Sequence, residues 1–343
     1  MTPMTPGILD ITRLGFPWEG LDPFIFTVHH LDRFPEGDDR LGPAAPLTGR
    51  QIGADFSYKD GWSMYHGDVV PGFPQHPHRG FETVTVVRRG FVDHSDSLGA
   101  TGRYGQGDVQ WLTTGSGVQH AEMFPLIDPD GPNTLELFQI WLNLPPSSKM
   151  VPAHYGMLWS EDIPTITPAD GVSVDLYAGP IGEHVPPAAP PDSWASQSDS
   201  QVAIWLIRLA PGASWALPTV DGEVNRMLHF FDGTTAMVAG QTVEQGSGVR
   251  LDAAAEVTVA AGDDPAEFLL LQGRPIGAPV FQMGPFVMNS TEELRKAVYD
   301  YQTTQFGGWP WEGPSPVHPR DSGRFAIHVD GTVERREMQP VEG

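Results

Sequence analysis

Two short stretches constrain this chain more than anything else in it. One reads Phe73-Pro74-Gln75-His76-Pro77-His78-Arg79-Gly80, and the other, about forty residues on, reads Gly117-Val118-Gln119-His120-Ala121-Glu122. In each, two side chains of metal-ligand type stand at i and i+2. Alternate residues of an extended strand point to the same face, so His76 projects with His78, and His120 with Glu122. Two such strands side by side would bring three imidazoles and a carboxylate to one point. Gly72, Gly80, Gly115 and Gly117 would let the backbone pack closely around a small site. Glu82 shares the parity of His76 and His78, and on an unbroken strand it would face the same way.

The surrounding pattern predicts an all-β protein. Residues 22–30, 51–66, 82–88 (ETVTVVR), 91–97, 108–113 and 134–144 (TLELFQIWLNL) read as short strands separated by Gly, Pro and Asp turns. That rhythm belongs to a β-sandwich or barrel. A second β series begins near Val202 and repeats the rhythm without the ligand pairs. Its lone His229, between Leu228 and Phe230, reads as a core histidine. Residues 180–201, rich in Pro and Ser, read as a linker. Ser290 is the expected N-cap of one helix, with Glu293 completing a capping box and Leu294, Ala297, Val298 and Tyr301 forming its apolar stripe. A hairpin turning at Asp330-Gly331 is expected near the end. The domain reading is a metal-bearing barrel over 1–145, a metal-free barrel over 146–308 and an extension over 309–343.

Charge and composition exclude several function classes. The chain of 343 residues carries a formal net charge of −23, so phosphate backbones and anionic membrane surfaces repel it; direct nucleic-acid and membrane partners are not expected. No apolar run reaches the roughly 18 residues of a membrane helix. Residues 1–10 show neither a basic nor an apolar signal segment, which makes the cytoplasm the expected compartment. With no cysteine, thiol catalysis and thiolate metal sites are out. There is no phosphate-binding loop, serine-nucleophile elbow or zinc-protease helix motif.

Nitrogen-rich ligands with one hard oxygen suit a divalent first-row ion: Fe(II), Mn, Co, Ni, Cu or Zn. Spacing alone does not choose between Glu82 and Glu122 as the carboxylate ligand. The one left over would hydrogen-bond a ligand or serve as a general base. His94 and Asp96 share parity and read either as partners behind the ligands or as a solvated hairpin face. Open positions on an octahedral ion favour oxidative chemistry with dioxygen, and Phe73, Phe81, Trp111, Phe138 and Trp141 could supply core or the walls of a pocket for a flat aromatic substrate.

The stretches 76–87 (HPHRGFETVTVV), 94–99 (HSDSLG), 107–122 (GDVQWLTTGSGVQHAE) and 284–289 (GPFVMN) resemble the pirin family, a branch of the cupin superfamily. The likeness runs from about Arg13 to Gly308. It implies two cupin (double-stranded β-helix) barrels face to face with a short C-terminal helix, and a metal, usually iron, in the first barrel only. It implies His76, His78, His120 and Glu122 as ligands, with Glu122 also a candidate base and Glu82 behind them; His94 joins Glu82 there if its pairing with Asp96 faces the site. The activity it implies is quercetin 2,3-dioxygenase chemistry, with a flavonol-like aromatic and dioxygen as substrates. The alternative it implies is a metal- or redox-sensitive regulator acting through a protein partner.

Overall fold

The computed structural model describes residues 5–220 and 222–338. The first four residues of the expected first barrel and the last five of the expected extension lie outside them. Strands dominate, and among the described residues the one α-helix is Thr291–Thr304. The chain forms two compact units. One takes the chain up to Thr27 together with Glu161–Gly277; the other takes Val28–Ser160 and the chain from Ala278 onward. The units therefore interleave, where the sequence reading sets them end to end.

Besides a two-stranded sheet, Phe281–Met283 with Phe286–Met288, the unit that holds the histidine pairs has two large sheets. One runs in the order His154–Leu158, Val109–Thr113, Phe81–Arg89, Asn133–Asn143, Phe24–Phe34; the other runs Val333–Arg336, Arg324–Ile327, Thr101–Gly105, Phe91–Asp96, Val118–Met123, Gly72–His78. The β-branched run Phe81–Arg89 sits between two neighbours and is buried on both faces as far as Val87. Its faces nevertheless differ in character. Thr83 and Thr85 lie in register with Trp141 and Gln139, whereas Val84 and Val86 lie in register with Ile140 and Phe138. The first of these faces mixes Thr83, Thr85 and Gln139 with apolar Val87 and Leu137, while the other is apolar from Val84 to Val86. An apolar cluster that includes Val87, Val92, Tyr104, Leu112, Leu135 and Leu137 packs the unit's core.

Residues 51–66 differ from expectation. They form a loop with one 3₁₀ turn, Lys59–Gly61, in place of strands. Side chains there outcompete a ladder: Asp55 accepts hydrogen bonds from Ser57 N, Met64 N and the Arg50 guanidinium. The helix begins as its sequence predicts. Ser290 Oγ accepts from Glu293 N at 3.2 Å, and the Glu293 carboxylate returns to Asn289 N at 2.9 Å. Leu294 and Ala297 are buried, with Val298 and Tyr301 packed beside them.

In the other unit one sheet runs Ile8–Arg13, Ser247–Asp252, Asn225–Asp232, Ala266–Gly273, Ala203–Leu209, Val172–Ala178, Thr165–Ile166, and a second runs Ser214–Leu217, Val257–Ala261, Thr235–Val238, Gln241–Glu244. The expected linker is corrected here. Residues 180–201 connect Val172–Ala178 to Ala203–Leu209, which pair antiparallel in one sheet. They form a long hairpin connection inside this unit, with Ser193 buried and its hydroxyl capping the 3₁₀ turn Trp194–Ser196.

His229 lies in the core of this unit. Its Nδ1 donates to Leu269 O at 3.0 Å, and its ring stacks on Trp18 with centroids 5.1 Å apart. Burial lowers its pKa to about 4, against a partial rise from that hydrogen bond. The unfolded imidazole titrates near 6.5. Between these values the unfolded chain binds a proton that the folded chain refuses, so stability present above pH 6.5 is lost as pH falls toward 4. We predict that His229→Gln removes about 3 kcal/mol of that acid-induced loss, measured as unfolding free energy against pH in urea titrations. Equal pH slopes in variant and parent would contradict it.

Candidate metal centre

His76 and His120 are register partners on the antiparallel strands Gly72–His78 and Val118–Met123, with an irregularity in the ladder between Phe73 and His76. The irregularity falls in the Phe-Pro-Gln segment, and His76 and His78 resume pairing with His120 and Val118 beyond it. The three rings converge: centroids lie 4.4 Å apart for His76–His120, 4.8 Å for His76–His78 and 4.9 Å for His78–His120. One nitrogen from each lies within 4.8 Å of the others, and among the described residues no other group of three or more His, Asp or Glu could hold an ion in this way.

The hydrogen bonds select which nitrogen faces inward. His76 Nδ1 lies 2.8 Å from Pro74 O and His78 Nδ1 lies 3.4 Å from Pro285 O. Each Nδ1 carries the hydrogen and each Nε2 keeps its lone pair, the tautomer a metal requires. Burial pushes the pKa of His76 down to about 4 and those of His78 and His120 well below the usual imidazole range, with neighbouring imidazoles adding to the effect. All three are neutral donors at neutral pH. His120 is fully buried, and neither of its ring nitrogens has a hydrogen-bond partner. Buried polar atoms are rarely left so. A cation shared by the three imidazoles would satisfy it, and the donor set fits a first-row divalent ion.

Glu122 lies beside this cluster, its Oε2 3.7 Å from His120 Nε2. Gln139 Nε2 donates to Oε2 at 2.8 Å, Thr85 Oγ1 donates to Oε1 at 3.4 Å, and Trp141 Nε1 donates to Gln139 Oε1 at 3.2 Å. Burial raises the Glu122 carboxyl above its ordinary pKa, while His94, Gln139 and Thr85 pull it back. His94 is register partner to Glu122, its ring 5.6 Å from that of His120. Gln110 Nε2 donates to His94 Nδ1 at 3.1 Å, and His94 Nε2 donates to Asp96 Oδ2 at 3.2 Å. Both His94 nitrogens are therefore engaged away from the triad, and His94 and Asp96 are a buried pair, not a solvated face.

Glu82 does not join the cluster. The chain turns at Arg79-Gly80, where Gly80 has φ +87° and a Cβ would meet Val287 O at 2.0 Å, so the parity running from His76 ends at His78. In Phe81–Arg89 the face of Thr83 and Thr85 belongs to the site, and Glu82 falls on the opposite face with Val84. Its carboxylate accepts from Thr113 Oγ1 at 2.6 Å. Sequence reasoning passed over Gln139, Gln110 and Thr85. The signal for them was present: polar residues at period two in strands otherwise apolar enough to be buried.

Aromatic side chains flank one side of the triad. Phe81 and Trp141 stack at 3.9 Å, and Trp141 lies 5.3 Å from the His78 ring.

Residues 38–142 match the family described as Pirin, and residues 204–307 match the Pirin C-terminal cupin domain. The chain belongs to the pirin family. Human Pirin is 35% identical over 252 residues, covering 71% of this chain and 80% of the relative. A Pseudomonas aeruginosa pirin relative, provisionally named a quercetin 2,3-dioxygenase, is 37% identical over 236 residues, covering 68% of this chain and 79% of its own. Among solved structures, the quercetin 2,3-dioxygenase from Acinetobacter baumannii superposes with a TM-score of 0.69 at 26% identity, covering 89% of this chain and 99% of that one. Both halves of this pirin are thus cupin barrels.

A buried lysine supports the turn that follows the histidine strand. Lys149 Nζ donates to Gly80 O at 2.6 Å, Asn143 Oδ1 at 2.6 Å and Val287 O at 3.0 Å. Three acceptors match the three hydrogens of an ammonium. We predict that Lys149→Met, which keeps the stem and strands these acceptors, costs about 3 kcal/mol in urea unfolding. Stability equal to the parent would contradict this.

Proposed function

We propose that this pirin opens the central ring of a flavonol such as quercetin with dioxygen, releasing carbon monoxide, at a metal held by His76, His78, His120 and Glu122. The carrying observation is His120, buried with both nitrogens unsatisfied at the meeting point of two imidazoles whose Nδ1 hydrogens face backbone carbonyls. The names of the Pseudomonas and Acinetobacter relatives support the substrate class.

Fe(II) is the proposed ion. When bound, it supplies Lewis acidity and open coordination positions for both reactants. The chain's own groups do the rest. Gln139 and Thr85 hold the Glu122 carboxylate beside His120, where one oxygen can accept the flavonol 3-hydroxyl proton. The stacked Phe81–Trp141 pair gives a flat apolar wall next to His78 for a flat ring system. His94, fixed by Gln110 and Asp96, buttresses the ring of His120.

Two measurements test this. Metal content after purification is expected to fall at least tenfold in His78→Ala and substantially in Glu122→Gln, and to stay at the parent level in Glu82→Gln. A greater loss in Glu82→Gln would show the carboxylate assignment wrong. Iron-loaded protein incubated with quercetin in air is expected to bleach the flavonol and release carbon monoxide in equal amounts. Bleaching without carbon monoxide would sink the dioxygenase assignment.

A further inference from the structure

The segment after the helix lies past both family matches, which end at residues 142 and 307, yet it packs against the sheet that carries the histidines. We propose that residues 309–336 form a strap that holds this sheet in register from outside, with Trp311 and Arg103 as positioning residues, and thereby sets how firmly the metal is retained.

The geometry begins with the exposed position of the ligand strand. Gly72–His78 is the last strand of its sheet; its only ladder partner is Val118–Met123, and on the other side a single bridge joins Gly72 to Tyr65 at the end away from the histidines. An edge strand is the first part of a sheet to open, and this one carries two of the three imidazoles. On its free side the strap supplies a partner: Gln75 N donates to Pro314 O at 2.7 Å. The side chain of Gln75 is held too, donating to Gln119 Oε1 at 2.8 Å, while Gln119 Nε2 donates to Gln305 O and Gly308 O at 2.6 and 3.0 Å.

The strap then reaches the middle of the sheet. Trp311 Nε1 donates to Asp96 O at 2.7 Å. Asp96 is register partner to His120, and its carboxylate accepts from His94 Nε2, Leu98 N and Ala100 N. Trp311 therefore acts on the strand next to the ligands through the residue that fixes His94. Further along, Arg103 forms a buried two-pronged pair with Asp93 at 2.7 and 2.8 Å, and its remaining hydrogens go to His318 O, Pro319 O and Arg320 O. Asp93 also accepts from His318 N at 2.8 Å. This guanidinium is saturated only with the strap in place. Past it, Arg324–Ile327 adds to Thr101–Gly105 with Phe325 opposite Arg103, and Val333–Arg336 closes the hairpin. Gln75, Gln119, Asp93 and Arg103 alternate with His76, His120, His94 and Gly102, so the strap grips the face that the site does not use. It reaches both ends of one sheet.

Retention of metal rests on the site proposed above; register does not, and the test separates them. In the full chain, Trp311→Phe keeps the ring and removes the hydrogen bond to Asp96 O, and Arg103→Lys keeps the charge and removes the fork. A control, Val259→Ala in the core of the other unit, is chosen for comparable loss of overall stability. Amide hydrogen exchange is read at Gln75 and His76 in metal-free protein, and release of zinc from zinc-loaded protein to a chelator is timed. We expect both strap variants to exchange about fivefold faster at these amides, the worth of one hydrogen bond, and to release zinc faster by a similar factor, with the control unchanged. Exchange unchanged in the strap variants, or raised equally in the control, would overturn the strap. Faster exchange with unchanged zinc release would overturn its role in retention. Failure of the parent to bind zinc or iron would instead refute the metal site, with the exchange measurement still deciding the strap.

Discussion

Desolvation of three imidazoles is the constraint on which the site depends. Taken from water, His76, His78 and His120 cannot keep a proton at neutral pH, and a neutral imidazole offers a lone pair. Carbonyls at Pro74 and Pro285 occupy the Nδ1 hydrogens of two of them. What remains is a set of nitrogens that repel protons and lack partners, which is the physical condition for taking up a cation. Thr85, Gln139 and Gln110 are the polar side chains of the adjoining sheet that lie nearest that set. Each reaches across to Glu122 or His94.

The same need explains the support around the edge strand. Histidines from two strands keep their geometry only while the register holds, and one of those strands has a ladder partner on one side alone. Lys149 ties the Gly80 turn from one side, and the residues after Trp309 tie the strand and its neighbours from the other. The ion pair of Arg103 with Asp93 is costly to bury and is offset only by complete satisfaction of the guanidinium. Its cost is coupled to the placement of a segment that could otherwise detach.

Much of this was legible in the sequence because period two survives folding. His-x-His and His-x-Glu place side chains on one face whatever the rest of the chain does, and the capping pattern at Ser290 and the turn at Asp330-Gly331 are equally local. Glu82 misled because parity was carried through Arg79-Gly80, where a positive-φ glycine ends one strand and starts another. Residues 51–66 misled because the hydrogen bonds of Asp55 and Arg50 bend the backbone out of a ladder that alternation alone favours. The interleaving of the two units, and the return of residues 309–336 to the first barrel's sheet, depend on pairings more than two hundred residues apart, as in Ile327 opposite Thr101. No local pattern records such pairings.

The central claim is that one metal ion sits among these three histidines. Anomalous diffraction from crystals of protein purified without added metal tests it most directly. A single peak is predicted about 2.1 Å from Nε2 of His76, His78 and His120, with a Glu122 oxygen completing the protein ligands. A peak elsewhere, or well-ordered histidines with no peak after loading with iron, would contradict the account.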